Sequence, residues 1–176
     1  MAKLNPIEAL IREEKWPAAR KAIKAALKSE PDSHWLLTRL GLTHYEQRDY
    51  AAALEWAERA RELAPKCPLV AWDRAGALQM LGRHRDAIEI YRSLIRRGAR
   101  RIANGPCGEG LARARGLVAD CHYRIAKSLE ALRQRKAALA EFERHLELRG
   151  PGCQSIYRLE DLNLAKTTRN NRRPTA

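Results

Sequence analysis

Apolar residues recur at steps of three and four through most of the chain, and they do so inside a longer rhythm. Ala19, Ala53 and Ala87 stand 34 residues apart, and Pro31 and Pro65 mark the same interval. Steps of three and four place side chains on one face of an α-helix, and a fixed longer period means that one small structural unit recurs. A unit of that size cannot bury its apolar face alone, so neighbouring copies must supply the core. The pattern predicts an all-α chain of paired helices.

Aligned on the alanines, the first unit covers about residues 1–33. Asn5-Pro6-Ile7-Glu8 sets Asn at an N-cap, Pro at the first helical position and Glu at N3. Trp16-Pro17 opens a second helix carrying Ala19, Ile23, Ala26 and Leu27, which Glu30-Pro31 stops. In the second unit, 34–67, Leu37, Leu40, Gly41 and His44 share one helix face. Tyr50, Ala53, Leu54, Ala57, Ala60 and Leu63 share another, and Pro65 terminates it. The third unit, 68–101, matches through Leu81-Gly82, Ala87, Ile88, Tyr91, Leu94 and Ile95, with Arg74 where a leucine is expected. The next ladder alanine is due at 121, where Cys121 stands, and appears instead at Ala138, 17 residues late. Residues 102–118 therefore read as an insertion before a fourth unit, 119–152.

The insertion opens with turn chemistry, Asn104-Gly105-Pro106-Cys107-Gly108. Leu111, Ala114, Val118, Cys121, Ile125, Leu129 and Leu132 then form an unbroken helical stripe. The first helix of unit four should thus be extended by about two turns at its start. Its overhang, Leu111, Ala114 and Val118, has no partner helix in a regular stack. It is expected to fold on a neighbouring repeat, cover a groove end, or join two copies as a homodimer. Ser155 can cap a final helix over about 155–166, carrying Ile156, Leu159, Leu162 and Ala165 and shielding the last apolar face. The polar residues 167–176 are expected to be a disordered tail after a domain of 1–166.

In its period and in Leu40-Gly41, Asp49-Tyr50, Ala53, Ala60 and Pro65, the chain resembles the tetratricopeptide repeat family over about residues 4–152. The resemblance implies a right-handed superhelical solenoid whose first helices line a concave groove, with a C-terminal capping helix. The groove residues would then be Trp35, Thr38, Leu42, Tyr45, Leu69, Trp72, Gly76, Gln79, Tyr123, Lys127 and Glu130. Aromatic side chains bury large area at small rotamer cost, so they suit a groove for a partner's peptide or helix. Gln79, Lys127 and Glu130 would set its register. The same aromatics can instead fill contacts between stacked helices, and Trp72 is open to either use. One subclass of the family clamps acidic chaperone tails with cations and amides. Leu4, Glu8, Thr38, Leu42, Leu69 and Asp73 at those positions cannot supply such donors. Family members that chaperone secreted effectors are expected to be acidic, unlike this chain. The activity implied is that of a non-catalytic adaptor.

Charge adds a second reading. The net charge is +13 with a pI near 10.1, which favours polyanions without specifying a fold. The excess is uneven, and residues 68–101 hold 8 basic against 3 acidic side chains. Arg92, Arg96, Arg97, Arg100, Arg101, Arg113 and Arg115 outline a candidate rim for RNA or another polyanion. Arg85, Glu89, Arg92 and Arg96 also fit a solvated outer helix face, and no finger, strand-aromatic or recognition-helix motif accompanies them.

The N-terminus lacks the apolar run of a secretory signal, and no stretch nears the roughly 20 apolar residues of a membrane span, so a cytoplasmic protein is expected. Cys67, Cys107, Cys121 and Cys153 include no Cys-x-x-Cys pair and read as reduced structural thiols. Cys121 and His122 are adjacent and diverge by about 100° on a helix. Residues 106–110 are glycine-rich without a Gly-Lys-Ser/Thr. Cys107 reads as an exposed thiol, with Arg100, Arg101 and the following helix N-terminus the hints of reactivity. No metal, cofactor or catalytic constellation is expected among these residues and His34, His44, His84, His122 and His145.

Overall fold

A computed structural model of the chain describes residues 5–157, and every regular element among the described residues is an α-helix. The order is α1 (Pro6–Arg12), α2 (Trp16–Ser29), α3 (His34–Glu46), α4 (Tyr50–Leu63), α5 (Pro68–Met80), α6 (His84–Arg97), α7 (Ala99–Ala103), α8 (Leu111–Ala131) and α9 (Arg135–Leu148). Among the described residues no helix is long and apolar enough to cross a membrane. Two compact units emerge, their described parts being 5–93 with 105–107, and 94–104 with 108–157.

Helices pair because the first helix of each pair (α1, α3, α5 and α8) is stopped by the same device. Glu14, Arg48, Gly82 and Arg133 adopt positive φ of 53°, 63°, 78° and 60°. In each case the following amide donates back to the carbonyl five residues earlier, as in Lys15 to Leu10, Asp49 to His44, Arg83 to Leu78 and Gln134 to Leu129. This left-handed C-terminal cap ends a helix and turns the chain into the next one. The first three caps are 34 residues apart and the fourth is displaced by a further 17, the same offset as the alanine ladder. Only Gly82 uses the residue best suited to the conformation.

The ladder alanines face the interior: Ala19, Ala53, Ala87 and Ala138 are all buried. In the first unit, Ile7, Ile23, Leu36 and Leu40 form one apolar cluster, with Trp35 and Trp56 packed on it. Leu37, Ala60, Cys67 and Val70 form another, joined by Leu69 and Cys107. Leu81-Gly82 do not occupy the positions of Leu40-Gly41; one period on from that pair are Arg74 and Ala75. Ala75 is fully buried, Arg74 pairs with Glu58 at 2.6 Å, and Leu81-Gly82 form the turn. The two Leu-Gly pairs thus serve different purposes.

Asn5 caps α1, its side-chain oxygen accepting from the Ile7 amide at 3.0 Å. An Asn5→Ala variant is expected to lose about 1 kcal/mol, seen as a lowered urea midpoint at unchanged slope.

In the second unit α7 packs on α8, and α8 on α9. α8 is 21 residues long and begins at Leu111. Of the expected overhang, Leu111 is 39% exposed but Ala114 is 3% exposed. Val118 is half-buried, and α7 lies against this helix. After α9 the chain returns along α8. The Gln154 amide donates to the Ala112 carbonyl at 3.0 Å, and the buried Asp120 carboxylate accepts from Ser155 Oγ at 2.5 Å and the Ile156 amide at 2.9 Å. Ala112, Gly116 and Asp120 lie at steps of four, so one stripe of α8 carries the whole strap. Ser155, expected to cap a helix, donates to this buried carboxylate and also accepts from the Tyr157 amide at 3.1 Å, and 155–157 are themselves non-helical. The rest of the expected capping helix and the tail lie outside the described residues.

Candidate interaction surface

The first helices of the first unit, α1, α3 and α5, bring together side chains distant in sequence. Arg39 on α3 donates to Glu8 on α1 at 2.6 Å, and its guanidinium lies 5.5 Å from the ring centre of Trp35, one turn earlier. A guanidinium in that position is attracted to the ring face. One period on from Arg39 is Asp73 of α5, a half-buried residue whose carboxyl is pushed up to about 7 by desolvation, which the positive Arg39 only partly offsets. Trp72 meets Tyr91 of α6 edge to face at 5.4 Å, and Tyr45 meets Tyr50 at 5.3 Å.

The expected groove residues divide on this frame. Trp35, Leu42, Tyr45, Leu69 and Trp72 are half-buried, each keeping part of its surface open while packing with the rest. Thr38, Gly76 and Gln79 are buried and do not line an open surface. Thr38 turns its hydroxyl back to the Trp35 carbonyl at 2.8 Å, and Gly76 faces the Tyr45 ring, which would lie 3.6 Å from a Cβ there. In the second unit Tyr123 is committed to neighbours: its ring lies 4.3 Å from Tyr157, 5.5 Å from His145 and 6.3 Å from Phe142. Lys127 and Glu130 pair with each other at 2.6 Å.

Among the arginines, Arg92, Arg96, Arg100, Arg101, Arg113 and Arg115 are exposed and Arg97 is half-buried. Arg113 pairs with Glu109 at 3.3 Å. A basic surface that the sequence reading passed over lies on α2, where Arg20, Lys21, Lys24 and Lys28 border one shallow depression with Pro17 and Ala25. These positions recur at steps of three and four, and α2 contains no acidic residue, a signal that was legible in the chain.

Buried chemistry in the second unit serves packing. His145 donates from Nδ1 to the Ala119 carbonyl at 2.8 Å and lies 3.8 Å from Asp120. Burial pushes the Asp120 carboxyl up and His145 down, and it holds the Cys121 thiol well above its usual range. His44, expected inside, pairs with Asp49 at 3.1 Å, and His122 pairs with Glu141 at 2.6 Å. Cys107, expected as an exposed thiol, is half-buried against the Cys67 cluster. Its Sγ is 3.2 Å from His34 Nε2.

Comparison with known proteins places this geometry. MamA 41-end from Desulfovibrio magneticus RS-1 superposes with a TM-score of 0.63 at 14% identity, over 81% of this chain and 71% of that one. MamA of AMB-1 gives 0.60 at 23% identity, covering 81% and 74%. MamA of MSR-1 gives 0.58 at 22% identity, covering 84% and 79%. At such identities the likeness is one of fold. A comparison with curated proteins finds no match. The tetratricopeptide repeat matches residues 7–68 and 38–102, which together span more than half of the sequence. With the recurrent caps, the buried alanine ladder and the paired helices, this shows that the chain belongs to the tetratricopeptide repeat family.

Proposed function

We propose that this protein is an interaction scaffold that holds a peptide or helix of a protein partner against the α1–α3–α5 face of its first unit. The observation that carries the reading is half-buried Trp35 against Arg39, which joins Glu8 on α1 and acts on the carboxyl of Asp73 on α5. Aromatic side chains that are already ordered lose little entropy when a partner covers the remainder. Asp73 sits where desolvation makes its negative charge costly and Arg39 offsets this only in part, so a lysine or arginine from the partner would gain by pairing with it. The partner segment that fits is therefore apolar with a basic residue. Leu42, Tyr45 and Leu69 extend the face.

The exposed lysines of α2 and the arginines of 92–115 support a second reading, association with RNA or another polyanion. The two differ in their response to salt. Polyanion binding weakens steeply as salt rises, because neutralised phosphates had released counterions, whereas an apolar face is little affected. The test is retention of lysate proteins on the immobilised chain, compared with a Trp35→Ala/Tyr45→Ala variant at low and high salt. Loss of an anchor of this kind costs about 2 kcal/mol or more, roughly 30-fold in affinity. A protein that survives the salt wash and is lost with the variant supports the groove. Retention that salt abolishes and the variant leaves intact overturns it in favour of the polyanion.

A further inference from the structure

Cys67, Cys107 and His34 come from three separate places in the sequence and converge in the first unit. Their ligand atoms, two Sγ and one imidazole nitrogen, all lie within 4.8 Å of one another. His34 is the first residue of α3, and Cys67 is the N-cap of α5, nearly one repeat later. Neighbouring repeats thus bring two donors to adjacent helix starts, and the turn of the insertion delivers the third. We propose that His34, Cys67 and Cys107 form a binding site for a thiophilic divalent cation, zinc by the donor set.

Zinc binds thiolate sulfur at about 2.3 Å and imidazole nitrogen at about 2.0–2.1 Å in a tetrahedron, which sets its ligand atoms about 3.5–3.8 Å apart. The 3.2 Å between His34 Nε2 and Cys107 Sγ and the 4.8 Å limit for the set bracket that spacing. Two thiolates and a neutral imidazole balance a divalent charge, and binding would release the two thiol protons to solvent. Three protein donors leave the fourth place to water or an external ligand.

The local backbone agrees. Cys67 makes no side-chain hydrogen bond to the amides of α5, so its sulfur is not committed to capping. The positive end of the helix favours the thiolate there. Cys107 holds a φ of +59°, an unusual conformation for a side-chain-bearing residue and one that concentrates at functional sites. The next residue, Gly108, passes too close to the end of α7 for a side chain, since a Cβ there would stand 2.1 Å from the Ala103 carbonyl oxygen. A plain packing role explains a buried cysteine at Cys67, but not a second thiol and an imidazole turned toward it.

The test is titration of the full-length, reduced, metal-stripped protein with cobalt(II), whose thiolate charge-transfer and tetrahedral ligand-field bands report the donor set. One cobalt per chain, displaced by zinc, is expected. Cys107→Ser and His34→Ala should each weaken binding by at least roughly 10–100-fold, the loss seen when even an outer partner of a ligand is removed. Cys153→Ser should leave binding unchanged. Because Cys107 lies in a turn, its variant is expected to keep wild-type helicity. The proposal is overturned if the folded, reduced protein gives no thiolate–cobalt band. A band that survives Cys107→Ser overturns it too, as does a native Cys67–Cys107 disulfide whose reduction yields no cobalt binding.

Discussion

Replacing Asp73 by asparagine is expected to abolish most of the stability loss that this one group causes between about pH 4 and pH 7. The Asp73 carboxyl is raised from 3.8 to about 7 by desolvation, with Arg39 pulling the other way. An acid with a higher pKa when folded binds its proton more tightly in the native state than in the unfolded one. Its contribution is therefore complete below the unfolded pKa and is lost as pH rises through the folded one. A shift of this size corresponds to about 4 kcal/mol at most, and solvent reaching the half-buried residue reduces it to about 2–4 kcal/mol. Asp120 is shifted in the same direction, whereas His145, lowered by burial, makes stability fall as the solution is acidified. The comparison of variant with wild type isolates Asp73: urea midpoints at pH 5 and pH 8 should differ far less in Asp73→Asn. Parallel profiles in the two proteins would show that the carboxyl is not desolvated. On the proposed reading, a partner's cation would ionise Asp73, and its binding would strengthen as pH rises toward 7.

Gly116→Ala is expected to lift the strap 153–157 from α8. A Cβ at 116 would stand 1.8 Å from the Gln154 carbonyl oxygen, 2.3 Å from its carbon and 2.9 Å from the Ser155 nitrogen. These are backbone atoms, so no rotamer change relieves the clash. Overpacking costs about 1–3 kcal/mol. If the strap leaves, the buried Asp120 loses its donors Ser155 and Ile156, at a further cost of about 1–3 kcal/mol. Hydrogen exchange at the Gln154 and Ile156 amides should accelerate together with a fall in the denaturation midpoint. Unchanged protection of both amides would mean that α8 moves instead of the strap.

The frame of the fold was legible because it depends on spacing. Ala19, Ala53, Ala87 and Ala138 are buried, and the displacement of Ala138 reappears in the turn residues 48, 82 and 133. Leu81-Gly82 misled because one dipeptide suits both close helix packing and a left-handed turn. The surface was legible in part. Helical phase fixes which residues share a face, but not how far that face is covered, so Thr38, Gly76 and Gln79 were expected where the neighbouring helices close over them. The Glu8–Arg39 pair and the raised Asp73 arise between helices and leave no local motif, although Arg39 and Asp73 are one period apart. His34, Cys67 and Cys107 carry no short-range ligand spacing at all. Only the repeat period together with the path of the inserted turn brings them within reach of one another.

The strap gives the last repeat a different standing from the others. An internal tetratricopeptide unit can be duplicated or exchanged as a cassette, because its neighbours complete it. Here the pair α8–α9 is completed by its own downstream chain, which donates two hydrogen bonds to a carboxyl group buried on α8. That unit is not portable without its trailing residues 153–157, because they carry the two donors to Asp120.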